Sequence, residues 1–191
     1  MKSSIWGKHI LLLLAIAVAF PSFAVGAKNR AEIVDIKLDK GGKNLEVSFQ
    51  LEDCFTPKME EAIANGVPTT FRILVAIERP SILFVKSVVV DFTLEHTIKY
   101  NRLNNEFQVY LPEHPEKTLV TKDFDQAKKW MSSVDNLPII PTCWLHKDQE
   151  YYVKVKAELS KVELPLFFRY ILFWVSLWDF ETDWQRVAFM M

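Results

Sequence analysis

Alternation of apolar and polar residues between Val88 and Tyr100 is the pattern that most constrains how this chain folds. One side of the stretch carries apolar residues and a histidine, namely Val88, Val90, Phe92, Leu94, His96, Ile98 and Tyr100, and the other side carries Asp91, Thr93, Glu95, Thr97 and Lys99. Successive side chains of a β-strand point to opposite faces of the sheet. The pattern therefore predicts a long strand with one buried and one solvated face, as is typical of antiparallel sheets.

Shorter stretches with the same two-residue period predict further strands. They lie at residues 32–39, 45–51, 71–77, 107–111 and 152–160. In the first of them, Val34, Ile36 and Leu38 are expected to face the core. Near the C-terminus, Trp178, Phe180, Thr182 and Trp184 alternate with acidic residues, and we expect the last residues of the chain to join the sheet. Residues 137–142 contain two prolines, so a central strand is not expected there.

Two segments carry the signals of short helices. Thr56 can cap a helix that has Pro57 at its first position and Gly66 at its end. Asp123 and Gln126 fit a capping box for a second helix, whose apolar stripe is expected to be Phe124, Ala127, Trp130, Met131 and Val134. Antiparallel strands with two short helices predict a single α+β domain, mainly β, built as an antiparallel sheet or a sandwich that carries both helices.

The N-terminus is typical of a secretory signal peptide. Two lysines precede an apolar run from Ile10 to Phe20, and small residues follow. The run is shorter than the roughly 20 residues that span a bilayer. We expect cleavage after Ala24 or Ala27, with residues 1–27 as the signal peptide and residues 28–191 as one exported domain, periplasmic or associated with the cell envelope.

Charge and cysteine content limit the classes of function. The sequence has 23 Lys and Arg residues against 24 Asp and Glu residues, and its formal net charge is −1. The basic residues are scattered, which argues against a nucleic-acid partner because such proteins need a basic face. Cys54 and Cys143 would form a disulfide in an oxidising compartment if they lay close together, but the sequence leaves open whether they pair or remain separate thiols.

The stretch LPLFFRYILFWVSLWDFETDW at residues 164–184 is the richest in aromatic side chains. Its longest uncharged run, Tyr170 to Trp178, has nine residues and is too short to be a transmembrane helix. Two interpretations stay open: the stretch is buried in the core, or it forms an exposed patch that meets a partner or a membrane surface. For the second interpretation, the candidate binding residues are Phe167, Arg169, Tyr170, Trp174 and Trp178.

No catalytic, cofactor-binding or metal-binding residues are predicted, and we expect no cofactor. The histidines are not spaced with other His or Cys residues as metal ligands would be. His96 lies on the apolar face of the long predicted strand, where a core histidine with satisfied hydrogen bonds is expected. A hydrolase that uses Cys143 and His146 is conceivable, but no nucleophile motif surrounds either residue.

Three segments of the sequence resemble an exported bacterial family known as domain of unknown function 4390. They are LEDCFTPKMEEAIANGVPTTF, EHTIKYN followed by EFQV, and the aromatic stretch at residues 164–184. The resemblance covers nearly all of the chain that follows the leader, and it implies an exported, envelope-associated protein without an assigned activity. Since members of the family are often encoded beside a membrane sensor histidine kinase, the resemblance also implies such a kinase as a candidate partner.

These observations together favour a non-catalytic exported module that binds another envelope protein. A carrier or sensor of an apolar small ligand is the first alternative, and the Cys143–His146 hydrolase is the second. Peripheral contact with a membrane is compatible with the aromatic stretch.

Overall fold

The computed structural model describes residues 31–80, 87–160 and 180–191, which form nine strands and two α-helices within those ranges. The strands are β1 (Glu32–Asp39), β2 (Asn44–Glu52), β3 (Thr69–Arg79), β4 (Ser87–Asn101), β5 (Glu106–Tyr110), β6 (Leu119–Thr121), β7 (Ser133–Pro141), β8 (Glu150–Leu159) and β9 (Gln185–Met190). The helices are α1 (Pro57–Ala64) and α2 (Phe124–Ser132), and a 3₁₀ turn follows β7 at Thr142–Trp144.

The strands form two antiparallel sheets that share one hydrophobic core. The smaller sheet has the order β1-β2-β7, and the larger has the order β6-β5-β4-β3-β8-β9. Leu45, Val47 and Phe49 of the smaller sheet and Ile73 and Val155 of the larger one belong to the same buried cluster. The predicted single α+β domain, mainly β, is confirmed.

The long strand β4 pairs with β3 along its length and follows the predicted alternation over most of it. His96 lies opposite Phe71 on the buried face. In β4 the alternation changes opposite Ile77 and Glu78 of β3, where the register between the two strands shifts. An extra residue of β4 forms a bulge there and moves the side chains beyond it to the other face. Val88 therefore pairs with Glu78 and is exposed, so its predicted place on the apolar face is wrong.

A second bulge lies in β1 at Asp35, whose φ of +53° is in the left-handed region. Before the bulge Ile33 is buried, and Val34, which was predicted to face the core, points away from it. After the bulge Ile36 and Leu38 pack against the core as predicted. The simple two-residue period fails here because the bulge shifts the register of β1 against β2.

Helix α1 has the predicted ends. The Thr56 hydroxyl accepts a hydrogen bond from the Met59 backbone N–H at 3.2 Å, and Pro57 occupies the first turn. Gly66, just after the helix, has a φ of +85°, a conformation that glycine adopts without steric cost. Met59 and Ile63 are fully buried, so the helix is held by the side that faces the core.

Helix α2 begins as predicted, with Asp123 accepting hydrogen bonds from two backbone N–H groups of the first turn. It ends earlier than predicted, at Ser132, where the backbone becomes extended and enters β7 directly. Val134, predicted on the helical stripe, is instead buried in β7. β7 is an edge strand of the smaller sheet, where Pro138 and Pro141 are tolerated because no second neighbour needs their missing N–H groups.

The C-terminal segment is tied to β8. Phe180 and Thr182 are buried as predicted, and the Thr182 hydroxyl accepts a hydrogen bond from the Ala157 N–H at 2.9 Å. Trp184 is 43% exposed, which contradicts its predicted place beside Phe180. The strand is interrupted between Thr182 and Gln185, so the alternation does not continue through Trp184.

Candidate functional site

A cleft of about 710 Å³ lies between α2 and the connection from β5 to β6. The side chains that decide its chemistry are Glu113, Lys117, Gln126, Lys129, Trp130 and Asp135. Such a volume falls within the roughly 300–1,000 Å³ that is usual for ligand sites. The cleft combines an aromatic wall with charged groups of both signs, so it is a candidate site for a ligand or for part of a partner protein.

The β5–β6 connection is held in shape by its own backbone. The His114 N–H donates to the Leu111 carbonyl at 3.0 Å, and the Lys117 N–H donates to the His114 carbonyl at 3.1 Å. Leu111 is buried and Leu119 packs against the core, which anchors both ends of the connection. Glu113 lies within the first of these two successive turns and lines the cleft.

Helix α2 forms the opposite wall and is fixed on its other side. The Phe124 ring stacks on Phe107 with centroids 4.6 Å apart. Lys128 lies 2.7 Å from a Glu60 carboxylate oxygen and 2.9 Å from an Asp125 oxygen, which links α2 to α1. These contacts hold the helix so that Trp130 contributes to the cleft.

A buried histidine and carboxylate lie behind the cleft. The side chains of His96 and Glu113 are 0% and 6% exposed, and His96 Nε2 lies 2.9 Å from Glu113 Oε1. The two atoms are at ion-pair distance, although their alignment falls short of a regular hydrogen bond. The other ring nitrogen, Nδ1, lies 3.0 Å from the Met131 carbonyl oxygen. The contacts of His96 thus join β4, α2 and the β5–β6 connection.

The hydrogen-bond partners of the ring define where the protons lie. A carbonyl oxygen only accepts, so His96 Nδ1 must carry a hydrogen and donate it to Met131. Burial alone would raise the pKa of the Glu113 carboxyl, but the contact with His96 outweighs burial and keeps the pKa below its usual value. Glu113 is therefore a carboxylate at neutral pH.

The second oxygen of Glu113 is the unusual feature of the site. Glu113 Oε2 is buried and accepts no hydrogen bond from any residue in the described part of the chain. Leaving a buried acceptor unsatisfied costs about 1–3 kcal/mol, so native structures rarely keep one without a role. Glu113 also lines the cleft, so this buried, unsatisfied acceptor belongs to a residue of the cleft wall.

The predicted burial of His96 is confirmed, and its Nδ1 is paired with a carbonyl. The expectation that its hydrogen bonds are satisfied is met only in part, because Nε2 makes no regular hydrogen bond with any described residue. Sequence reasoning missed Glu113. The available signal was the histidine itself, because a titratable group on an apolar face needs a partner. The sequence does not say which residue that partner is, since Glu113 lies beyond the end of β5, the next strand.

The five predicted binding residues of the aromatic stretch lie outside the described residues. They are Phe167, Arg169, Tyr170, Trp174 and Trp178, and the choice between core and exposed patch for them stays a prediction. The same holds for the signal peptide at residues 1–27.

The two cysteines are separate free thiols in the structure, so the disulfide left open by the sequence is not formed in it. Cys54 is buried, which raises its pKa to about 12, and its thiol lies 3.9 Å from the Leu51 carbonyl oxygen. Cys143 is exposed in the 3₁₀ turn. Among the described contacts, neither the Cys143 thiol nor the His146 ring has a partner, so the hydrolase alternative gains no support from them. The contact described for His146 is made by its backbone N–H, which donates a hydrogen bond to Tyr151 Oη at 2.9 Å.

Within residues 31–80, 87–160 and 180–191, no three His, Cys, Asp or Glu side chains are grouped as metal ligands. No helix in those ranges is both long enough and apolar enough to cross a membrane.

The chain was compared with known proteins. The model of a family described as a domain of unknown function, DUF4390, matches residues 28–188. No curated protein and no solved structure matches the chain. Since the family model covers most of the sequence and agrees with the resemblance seen in its motifs, the chain belongs to the DUF4390 family.

Proposed function

We propose that this chain is a non-catalytic binding domain of the bacterial cell envelope whose partner, another envelope protein, docks at the cleft between α2 and the β5–β6 connection. The observation that carries the proposal is that Glu113, a residue of the cleft wall, has a buried carboxylate oxygen, Oε2, that lacks a partner among the described residues. A ligand that donates to this oxygen would remove the cost of leaving it unsatisfied.

The arrangement of His96 argues for binding rather than acid–base catalysis. A general base must reach the proton that it removes, within about 2.6–3.2 Å. His96 is fully buried, one ring nitrogen is occupied by the Met131 carbonyl, and the other faces Glu113. The histidine thus orients the carboxylate and has no free nitrogen to offer to a molecule in the cleft.

The location and the nature of the partner are part of the proposal. The apolar run from Ile10 to Phe20 with its small residues supports export and removal of residues 1–27. The resemblance to the DUF4390 family favours a membrane sensor histidine kinase as the partner. The aromatic candidates at residues 167–178 would be a second contact surface, with peripheral membrane contact as an additional role.

A carrier of a small ligand is the second candidate function, and the volume of the cleft favours it. About 710 Å³ would hold a whole small molecule as well as a few residues of a protein. Native mass measurement of protein purified from the envelope separates the two functions. A retained small molecule supports the carrier, and a bare chain in every preparation contradicts it.

Co-purification tests the proposed function. The chain is tagged at its C-terminus, mildly crosslinked in living cells and recovered from the envelope. We expect one membrane protein to be recovered with the chain in stoichiometric amount. This partner should be lost with a folded Trp130→Ala variant. It should be kept with Leu103→Ala, which changes a fully exposed side chain outside the cleft. Recovery of the chain alone, or equal recovery of the partner with both variants, contradicts docking at the cleft. Loss of the partner with Trp174→Ala but not with Trp130→Ala would instead assign docking to the aromatic stretch.

A further inference from the structure

We propose that the group received by the cleft is a protonated nitrogen, an ammonium or a guanidinium on an apolar stem, which donates a hydrogen bond to Glu113 Oε2. The inference rests on the proposed function of the cleft and names the chemistry that it recognises. Its source is expected to be a basic side chain of the partner protein.

The acceptor itself is the first reason. An ionised carboxylate only accepts hydrogen bonds, and one of its oxygens is already directed at His96. The remaining oxygen, Oε2, is buried without a donor from the described residues. The Glu113 carboxylate therefore lacks a hydrogen-bond donor. A charged donor forms a stronger hydrogen bond with a carboxylate than a neutral donor does.

The distribution of charge around the cleft is the second reason. Three carboxylates line it, those of Glu113, Glu116 and Asp135, against two ammonium groups, those of Lys117 and Lys129. Both lysines are exposed, as are Glu116 and Asp135, so water and salt screen these four charges, whereas the Glu113 side chain is 6% exposed. His96 contacts Oε1 of Glu113, so Oε2 is the oxygen of this cleft-lining residue that is left without a donor among the described residues.

The walls of the cleft are the third reason. Trp130, Leu111 and Leu119 give the cleft an aromatic and aliphatic lining beside the carboxylate. Lysine and arginine carry a charged end on an apolar stem, and such side chains bury the stem along apolar surface. An aromatic ring next to the path of a cation adds a favourable interaction with it.

The test uses three probes of similar length and different chemistry, the N-acetyl amides of arginine, citrulline and norleucine. Binding to the folded protein is followed by NMR through the backbone signals of residues 113–117 and the Trp130 indole. We expect the arginine probe to bind more tightly than citrulline, and norleucine to bind most weakly. Glu113→Gln is expected to weaken arginine binding about tenfold or more, since it removes the charged acceptor.

Glu116→Gln is the matched control, since it removes the same charge from an exposed residue of the same connection. We expect it to change arginine binding less than about twofold, as is usual for exposed ion pairs. The comparison of probes on the unaltered protein keeps the test decisive even if Glu113→Gln does not fold.

The outcomes separate the inference from the function on which it rests. Equal binding of arginine and norleucine at the cleft would overturn the cationic ligand while keeping the cleft as a binding site. No shift at these signals with any probe up to its solubility would overturn both. A small amine retained in native mass spectra of envelope-purified protein would support the cation and assign it to a small molecule rather than to a partner protein.

Discussion

Glu113 belongs both to the buried contacts of the fold and to the wall of the cleft. One carboxylate oxygen lies 2.9 Å from His96 Nε2 and helps to join the β5–β6 connection to β4, while the other is buried without a donor among the described residues. Glu113 also lines the cleft. His96 in turn is held by the Met131 carbonyl. A change at Glu113 should therefore affect both the stability of the fold and the binding at the cleft.

The stability contributed by the pair should depend on pH. The pKa of Glu113 is lowered in the folded protein, so folding favours its ionised form. The contribution is complete above the ordinary glutamate pKa of about 4.3 and is lost as the pH falls through the lower pKa of the folded state. At pH 7 we expect Glu113→Gln to lower the free energy of unfolding by about 2 kcal/mol, the scale of a lost buried charged contact.

Denaturant unfolding of wild type and variant between neutral and acidic pH measures this dependence. The difference between the two proteins should shrink towards zero in acid, and Glu116→Gln, at an exposed position of the same connection, is measured beside it as the control. A difference that stays constant down to pH 2–3 would mean that the Glu113 charge does not stabilise the fold.

At the scale of the elements, the two-residue period predicted where most strands lie but not how they bend. The sequence of β1 alternates without a visible break, yet Asp35 adopts a φ of +53° and the register against β2 shifts there. Aspartate visits this conformation more readily than most residues, but the pattern of Glu32–Asp39 contains no glycine to mark it. The sequence also predicted helix α2 to be too long. The apolar spacing of Trp130, Met131 and Val134 fits one continuous helix, but it fits equally well a helix that passes directly into a strand, which is what the structure has.

The bulge in β1 allows a prediction about stability that does not depend on the cleft. Asp35→Gly removes the steric cost of the left-handed conformation, and we expect it to raise the free energy of unfolding by about 0.5–1 kcal/mol. Lys37→Gly, at an exposed position of the same strand, is expected to lower it by a similar amount, since glycine weakens a regular strand. Thermal unfolding of both variants measures the effect, and a loss of stability in Asp35→Gly would show that Asp35 is not strained.

For the whole molecule, the sequence was sufficient for the fold class and the family but not for the site. Periodicity and capping residues depend on neighbours in the chain, so β4, α1 and the start of α2 were predicted correctly. The pairing of His96 with Glu113 depends on how strands register and how a connection turns, which no local pattern encodes. The edge strand β6, only three residues long, was missed because so short a stretch has no measurable period.

The proposed function gives the cleft a single role, which is to hold a basic side chain of an envelope protein against Glu113. The core between the two sheets holds α2 and the β5–β6 connection in place, and the ion pair sets the carboxylate between them. A docking site of this kind requires the partner to lie directly over the β5–β6 connection when the complex forms.

Site-specific photo-crosslinking in living cells tests this most directly. A photoreactive amino acid is placed at Lys117 on the exposed rim of the cleft, and a control is placed at Leu103 in the β4–β5 turn. The account predicts that the photoreactive group at position Lys117 crosslinks to one envelope protein, at a segment that contains a lysine or an arginine. It also predicts that this crosslink is lost when Glu113→Gln is added and the protein still folds. Crosslinks that are equal from both positions, or that persist with Glu113→Gln, would contradict the cleft as the docking site.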